Sequence, residues 1–174
     1  MRALRRALRG GNGSFVVFRL PALHENVRKR VVKMPKLHFH DSGLVCWLLG
    51  IRRPEQLRSH PLRGAIFETW VVSEICKHRM NRGEAGGVSF YRDRDGREVD
   101  LVIEQPDRLT LVEAKAAQTP STSLFDGARR VQRLLSEASR DCEIVVAYGG
   151  DEIQRRSDAR LLPWADLHRH RWGT

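Results

Sequence analysis

An α/β fold is what this sequence predicts: a mixed β-sheet flanked by helices, with a short β-hairpin ahead of it. Two observations carry that expectation. From residue 61 onward the hydrophobic pattern switches between helical and strand periods in the order helix, strand, strand, strand, helix, strand. The three consecutive strands are joined by "RDGRE" and "QPDR", short enough for hairpins, while the helix before the fourth permits a parallel crossover.

The elements follow in order. Residues 1–14, "MRALRRALRGGNGS", are Arg-rich and then Gly-rich, and read as a basic tail or short helix ending in a flexible break. Residues 15–60 form a second zone. In it "SFVVFRL" and "PKLHFHDSGL" are strand-like runs separated by the basic connection "PALHENVRKRVVKM", and a short helix through "SGLVCWLLG" starts at Asp41 or Ser42 and stops at Gly50. Residues 61–174 make the main domain. Its first helix carries Leu62, Ile66, Phe67, Trp70, Val71, Ile75 and Cys76 at amphipathic spacing and ends at "NRGEAGG".

"GVSFYRD", "EVDLVIE", "LTLVEAK" and "EIVVAYG" are the four strands. Between the last two, Leu124, Ala128, Val131, Leu135 and Ala138 mark one helical face, with Ser121 or Ser123 as N-cap. Gly127 inside that helix costs about 1 kcal/mol relative to Ala. Trp47 and Trp70 are expected in the core. The Arg-rich end, "LHRHRWGT" with His168 and His170, is expected to be a solvated tail.

Composition bounds the function. The chain has 174 residues, a formal net charge of +10, and 31 Lys and Arg against 21 Asp and Glu, which favours polyanions such as nucleic acid without specifying one. No apolar run reaches the roughly 18 to 20 residues of a membrane span, and the start lacks the apolar centre of a signal peptide, so a cytoplasmic location is expected. Cys46, Cys76 and Cys142 are three widely spaced cysteines among apolar residues, expected to be buried and reduced. The Gly-Lys-Ser/Thr loop of an ATP site is absent. His38 and His40 share a strand face, yet no third ligand has the spacing of a zinc site.

The candidate chemistry lies in "REVDLVIEQPDRLTLVEAKAAQT", where Glu98, Asp100, Glu113 and Lys115 interrupt two apolar runs. Strand alternation places Glu98 and Asp100 on one face with Leu101 and Ile103 on the other, and Glu113 with Lys115 on one face of the next strand. Paired as a hairpin, the strands bring Asp100 and Glu113 together. Two close carboxylates ionise easily only beside a cation, and Mg²⁺ or Mn²⁺ with oxygen ligands is the natural one. Lys115 then orients a water or stabilises charge on a phosphate. Charges alternating along a strand also describe a solvated sheet face, and the pattern alone favours that reading.

The same residues resemble a known family. Asp100, Glu113, Ala114 and Lys115 are similar to the D…ExK core of the PD-(D/E)xK restriction-endonuclease-like superfamily. The segments "NVRKRVVKMPKLHFHDSGLVCWLLG", "HPLRGAIFETWVVSEI", "FYRDRDGREVDLVIE", "LVEAKAAQT" and "AYGGD" together resemble the DUF4143 domain, usually found at the C-terminus of bacterial and archaeal AAA+ family ATPases.

That resemblance implies a restriction-endonuclease-like sheet preceded by a winged-helix remnant, and a Mg²⁺-dependent nuclease site acting on nucleic acid. In it Glu68, Asp100 and Glu113 hold the metal and Lys115 assists hydrolysis. Glu98 and Glu74 are further candidate acids, and Arg28, Lys29, Arg30 and Lys33 are candidate nucleic-acid contacts. The alternative is a non-catalytic module, binding nucleic acid or protein, that retains the fold. The family's usual ATPase module is absent from this chain. An ATPase acting in trans and self-association are therefore both expected as partnerships.

Overall fold

The computed structural model describes residues 16–23, 34–84, 86–136 and 141–173. The basic segment 1–14 and the connection with Arg28, Lys29, Arg30 and Lys33 lie outside the described residues.

Two strands, β1 (Val17–Leu20) and β2 (Lys36–Phe39), pair antiparallel as the N-terminal hairpin. Asp41 caps the next helix, α1 (Ser42–Leu48), by accepting the Gly43 amide at 2.7 Å, and Gly50 at φ 76° follows its end. A short helix α2 (Pro54–Arg58), which the periodicity did not signal, opens with proline in its first turn. Helix α3 (Arg63–Asn81) is the long amphipathic helix, and it is followed by Gly83 in a left-handed conformation.

The main sheet begins with β3 (Val88–Arg92), β4 (Glu98–Glu104) and β5 (Arg108–Lys115), joined as antiparallel hairpins. A 3₁₀ turn (Thr122–Phe125) with Ser121 as its N-cap leads into α4 (Asp126–Ser136). Strand β6 (Asp141–Tyr148) returns parallel to β5, as a crossover requires. Two further strands, β7 (Gln154–Arg155) and β8 (Ala159–Pro163), complete a six-stranded sheet in the order β3-β4-β5-β6-β8-β7. The architecture is therefore a mixed sheet flanked by helices with a small antiparallel hairpin.

Two apolar layers hold it. On one face Val71, Val72 and Ile75 of α3 pack against Leu101, Ile103, Val112, Val145 and Leu162. On the other, Ala128, Val131 and Leu135 of α4 pack with Phe125 against Val99, Val102, Leu111, Ile144, Val146 and Leu161. Strands β4, β5 and β6 are apolar on both faces, hence near-continuous runs in the sequence. The hairpin is anchored on the edge of β3. There the Leu23 amide donates to the Phe90 carbonyl at 2.7 Å, the Phe90 amide to the Pro21 carbonyl at 2.9 Å, and Leu20, Ala22 and Leu23 are buried.

Several expectations are corrected. Trp47 is 60% exposed, because α1 buries none of its residues, and Arg52 lies over its ring instead. Trp70, by contrast, does pack against the core layer on the α3 side, half-buried and in edge contact with Trp164. The C-terminal end is not a solvated tail. A 3₁₀ segment (Trp164–Arg169) carries buried Leu167, whose carbonyl accepts the indole N–H of buried Trp172 at 2.8 Å. His170 lies edge-on against that indole and is half-buried, while His168 is exposed. All three cysteines are free of disulfides, Cys142 buried and the other two half-buried.

Candidate active site at the end of the β4–β5 ladder

The site exists because β4 pairs with β5 only from Leu101 onward, leaving Glu98, Val99 and Asp100 outside the ladder. Their ladder runs from Glu104–Leu109 to Leu101–Val112 and stops there. Continued by one step, the register would set Asp100 against Glu113. The next amide along β5, that of Ala114, has no strand carbonyl to meet, and the Asp100 carboxylate accepts it at 2.9 Å. On its other edge β4 carries an irregularity: Ser89 pairs with Val102 but Tyr91 with Val99, so one extra residue sits in β4. Val99 and Val102 therefore share the α4 face, and the strict alternation that the sequence implied for Glu98 to Ile103 breaks at Asp100 and Leu101.

Glu113 lies on the α4 side and is 3% exposed. Its neighbour there is Gly127. A Cβ on that residue would stand 3.0 Å from Glu113 Oε1, so glycine is what lets the first turn of α4 approach the carboxylate. Lys115 Nζ lies 2.6 Å from Glu113 Oε2. Asp100, Glu113 and Lys115 line one cleft of about 330 Å³ together with Glu98, Asp95, Gly96, Arg97, Gly127 and Arg130.

Glu68 stands apart from that cleft, on α3, and joins the cluster through a lysine. Lys36 of β2 places its ammonium 2.8 Å from Glu68 Oε1, in contact with Glu98 Oε1 and 3.6 Å from Asp100 Oδ1. Glu98 also pairs with Arg92 at 3.0 Å. Glu74 belongs elsewhere: it binds Lys77 at 2.7 Å and borders a second cleft beside Trp70 and Trp164. His38 is buried, with Nδ1 3.3 Å from Thr69 Oγ1, and His40 rests against Phe18; the two hold the hairpin to α3 and its own partner strand.

The electrostatics follow from crowding. Burial, and then the charge of Asp100, push the Glu113 carboxyl up to about 7, against the pull of Lys115. Burial and the charge of Glu68 raise Asp100 too, although the Ala114 amide opposes them. Burial works against the charge of Lys36 and Lys115, but the surrounding carboxylates outweigh it and hold both ammonium groups above their ordinary value. Four carboxylates face Lys36, Lys115 and the Arg92 guanidinium. Two of the four, Asp100 and Glu113, remain reluctant to ionise.

Whether a hard divalent cation suits these residues turns on that donor set. Its oxygens are all carboxylate, and Lys36 shows that one cation can reach oxygens of Glu68, Glu98 and Asp100 at once. The residues fit such an ion in kind. In the observed arrangement, however, no group of three acidic, His or Cys side chains among the described residues is spaced to hold a metal.

The DUF4143 family model, described as a domain of unknown function, matches residues 63–167, from the first residue of α3 past β8. The chain belongs to the DUF4143 family. Glu68, Glu98, Asp100, Glu113 and Lys115 all fall within the matched span, and Lys36 does not. A second model of a domain of unknown function, DUF8612, matches residues 5–55 and so contains Lys36. Two curated relatives, "Uncharacterized protein Rv2008c" of Mycobacterium tuberculosis and "Uncharacterized protein Mb2031c" of Mycobacterium bovis, are each 30% identical over 119 residues. The match covers 68% of this chain and 26% of each relative, so the DUF4143 chain spans about a quarter of their length.

Sequence reasoning missed three contributors. Arg97 and Arg130 read as surface arginines, yet both line the cleft, Arg97 with its guanidinium paired to Asp93 and Asp95. Lys36 had a usable signal: in "KLHF" the residues at 36 and 38 share a face, and it is Leu37, not Lys36 or His38, that lies on the exposed side at 46%. Among the described residues, no helix is long and apolar enough to cross a membrane.

Proposed function

We propose that this DUF4143 domain is a Mg²⁺- or Mn²⁺-dependent phosphodiester hydrolase acting on nucleic acid, built on the restriction-endonuclease-like plan that its D…ExK residues resemble. The observation that supports this most is the meeting of half-buried Asp100 and buried Glu113 with Lys115 in one cleft. Asp100, Glu113 and Glu68 would hold the cation, which supplies Lewis acidity for a phosphodiester oxygen and an attacking water.

The chain's own groups do the remaining work. The Ala114 amide fixes one oxygen of Asp100, so that carboxylate is pre-aimed. Arg130 attracts and orients phosphate groups entering the cleft, while the Arg97 guanidinium is held by Asp93 and Asp95. Lys115, held by Glu113, donates to the oxygen on which charge develops. The net charge of +10 draws a polyanion toward the site from a distance.

A second reading has its own support. Lys36 already sits between Glu68, Glu98 and Asp100, as expected of a module that keeps the nuclease plan but only binds nucleic acid or a protein. For either reading, the exposed Trp47, Leu48 and Leu49 form the surface we assign to a protein partner, an ATPase module in trans or a second copy.

Incubation of the purified chain with supercoiled plasmid or single-stranded RNA, with and without Mg²⁺ or Mn²⁺, separates the two. Hydrolysis that needs the cation and disappears in Asp100→Ala/Glu113→Ala supports the enzyme. Salt-dependent binding with no cleavage under any of these conditions supports the binding module.

A further inference from the structure

Lys36 is the unexpected member of the site. It comes from the N-terminal hairpin, outside the DUF4143 match, and yet its ammonium sits among three carboxylates supplied by α3 and β4. Its side chain is 19% exposed and also lies over the Phe90 ring, 5.4 Å from the centroid. The hairpin that carries it is fastened independently. Leu20, Ala22 and Leu23 are buried, the Leu23 amide binds Phe90, and the Ser73 hydroxyl donates to the His40 carbonyl at 2.8 Å. The ammonium can therefore leave the carboxylates by rotating its own four-carbon stem, with the backbone of the hairpin in place.

We propose that Lys36 is the resident counter-cation of the Glu68–Glu98–Asp100 cluster, and that a divalent cation enters the site only in exchange for its ammonium. This inference rests on the metal-dependent reading given above and adds a residue that sets when the metal binds. Removing a singly charged ammonium and admitting a doubly charged ion raises the positive charge beside Asp100 and Glu113 by one, which is the direction those crowded carboxylates favour. Lys36 is thus a positioning residue: without metal it keeps the acids apart from one another's charge, and with metal it moves away.

The test uses the full chain and does not depend on turnover. Mn²⁺ binding is measured by calorimetry on wild type, Lys36→Met and Lys36→Arg, with circular dichroism to check folding. Removing the competitor should tighten Mn²⁺ binding by about tenfold or more in Lys36→Met, while Lys36→Arg stays near wild type. Wild type supplies an independent readout by pulse acetylation and mass spectrometry. Lys36 should react slowly in metal-free protein and about tenfold faster at saturating Mn²⁺, once expelled from its ion pairs. Mn²⁺ binding of equal affinity in wild type and Lys36→Met, with unchanged Lys36 acetylation, overturns the exchange and leaves the metal-dependent reading standing. Absence of Mn²⁺ binding in both folded proteins overturns the two together.

Discussion

The Asp100 carboxylate accepts the Ala114 amide at 2.9 Å, so a side chain, and not a strand carbonyl, closes the end of the β4–β5 ladder. Asp100 therefore has two jobs, structural through one oxygen and electrostatic through the other. Asp100→Asn keeps an acceptor for the amide and removes a charge that burial and Glu68 disfavour. Its stability at pH 7.5 should match or exceed that of wild type, by up to about 1 kcal/mol. Asp100→Ala leaves the amide unpaired and should fall about 1 kcal/mol below Asp100→Asn. Urea melts of the three proteins check this. A loss above about 2 kcal/mol in Asp100→Asn would mean that its pairing with Lys36 and Lys115 dominates.

Two buried groups should give the chain a flat stability between pH 4 and 7 by opposing one another. Burial, and then Lys36, lower His38 to about 4 from its ordinary 6.5, so the unfolded state takes up that proton first and stability is lost as pH falls from 6.5 toward 4. Glu113 is raised to about 7 from 4.5, so the folded state holds that proton longer and stability is lost as pH rises from 4.5 toward 7. Each is worth about 3 kcal/mol across its window. His38→Gln should leave stability that declines as pH rises, and Glu113→Gln should leave stability that declines as pH falls. Urea melts at half-unit pH steps read both slopes, and equal slopes in the two variants would refute the assignment.

Gly127 separates stability from site geometry. Alanine gains about 1 kcal/mol of helix propensity but sets a Cβ 3.0 Å from Glu113 Oε1, which Lys115 holds from the other side. Gly127→Ala should stay within about 1 kcal/mol of wild type in thermal melts while weakening Mn²⁺ binding several-fold. Unchanged Mn²⁺ affinity would show that Glu113 has room to move.

Trp172 tests the C-terminal end. It is 2% exposed, its indole N–H is satisfied by the Leu167 carbonyl, and its own carbonyl accepts Arg79 Nη1. Trp172→Ala should cost about 3–5 kcal/mol, where a solvated tail would cost almost nothing. Chemical denaturation distinguishes the two directly.

What the sequence made legible was whatever depends on periodicity and turn chemistry. The α3 helix, the β3–β4–β5 hairpins and the parallel return through α4 follow from hydrophobic spacing, from "RDGRE" and from "QPDR", and the structure has them all. Strand β8 was hidden because "ARLLP" is short and ends in proline, and its burial on both faces comes only from its place beside β6. The convergence of Asp100 and Glu113 was legible from the hairpin register. The displacement of Glu68 to the far side of Asp100 was not, since helix orientation over a sheet is set by packing. Lys36 was missed for a related reason: a lysine in a short strand reads as a solvated residue until the hairpin's docking against α3 is known.

Anomalous diffraction from a crystal soaked in Mn²⁺ shows at once whether the site takes a metal and where Lys36 then lies. A peak is expected within ligating distance of the Asp100 and Glu113 carboxylates, with the Lys36 ammonium withdrawn from Glu68 and Glu98. A saturating soak that leaves no peak at those carboxylates, with Lys36 still seated between Glu68 and Glu98, would contradict it.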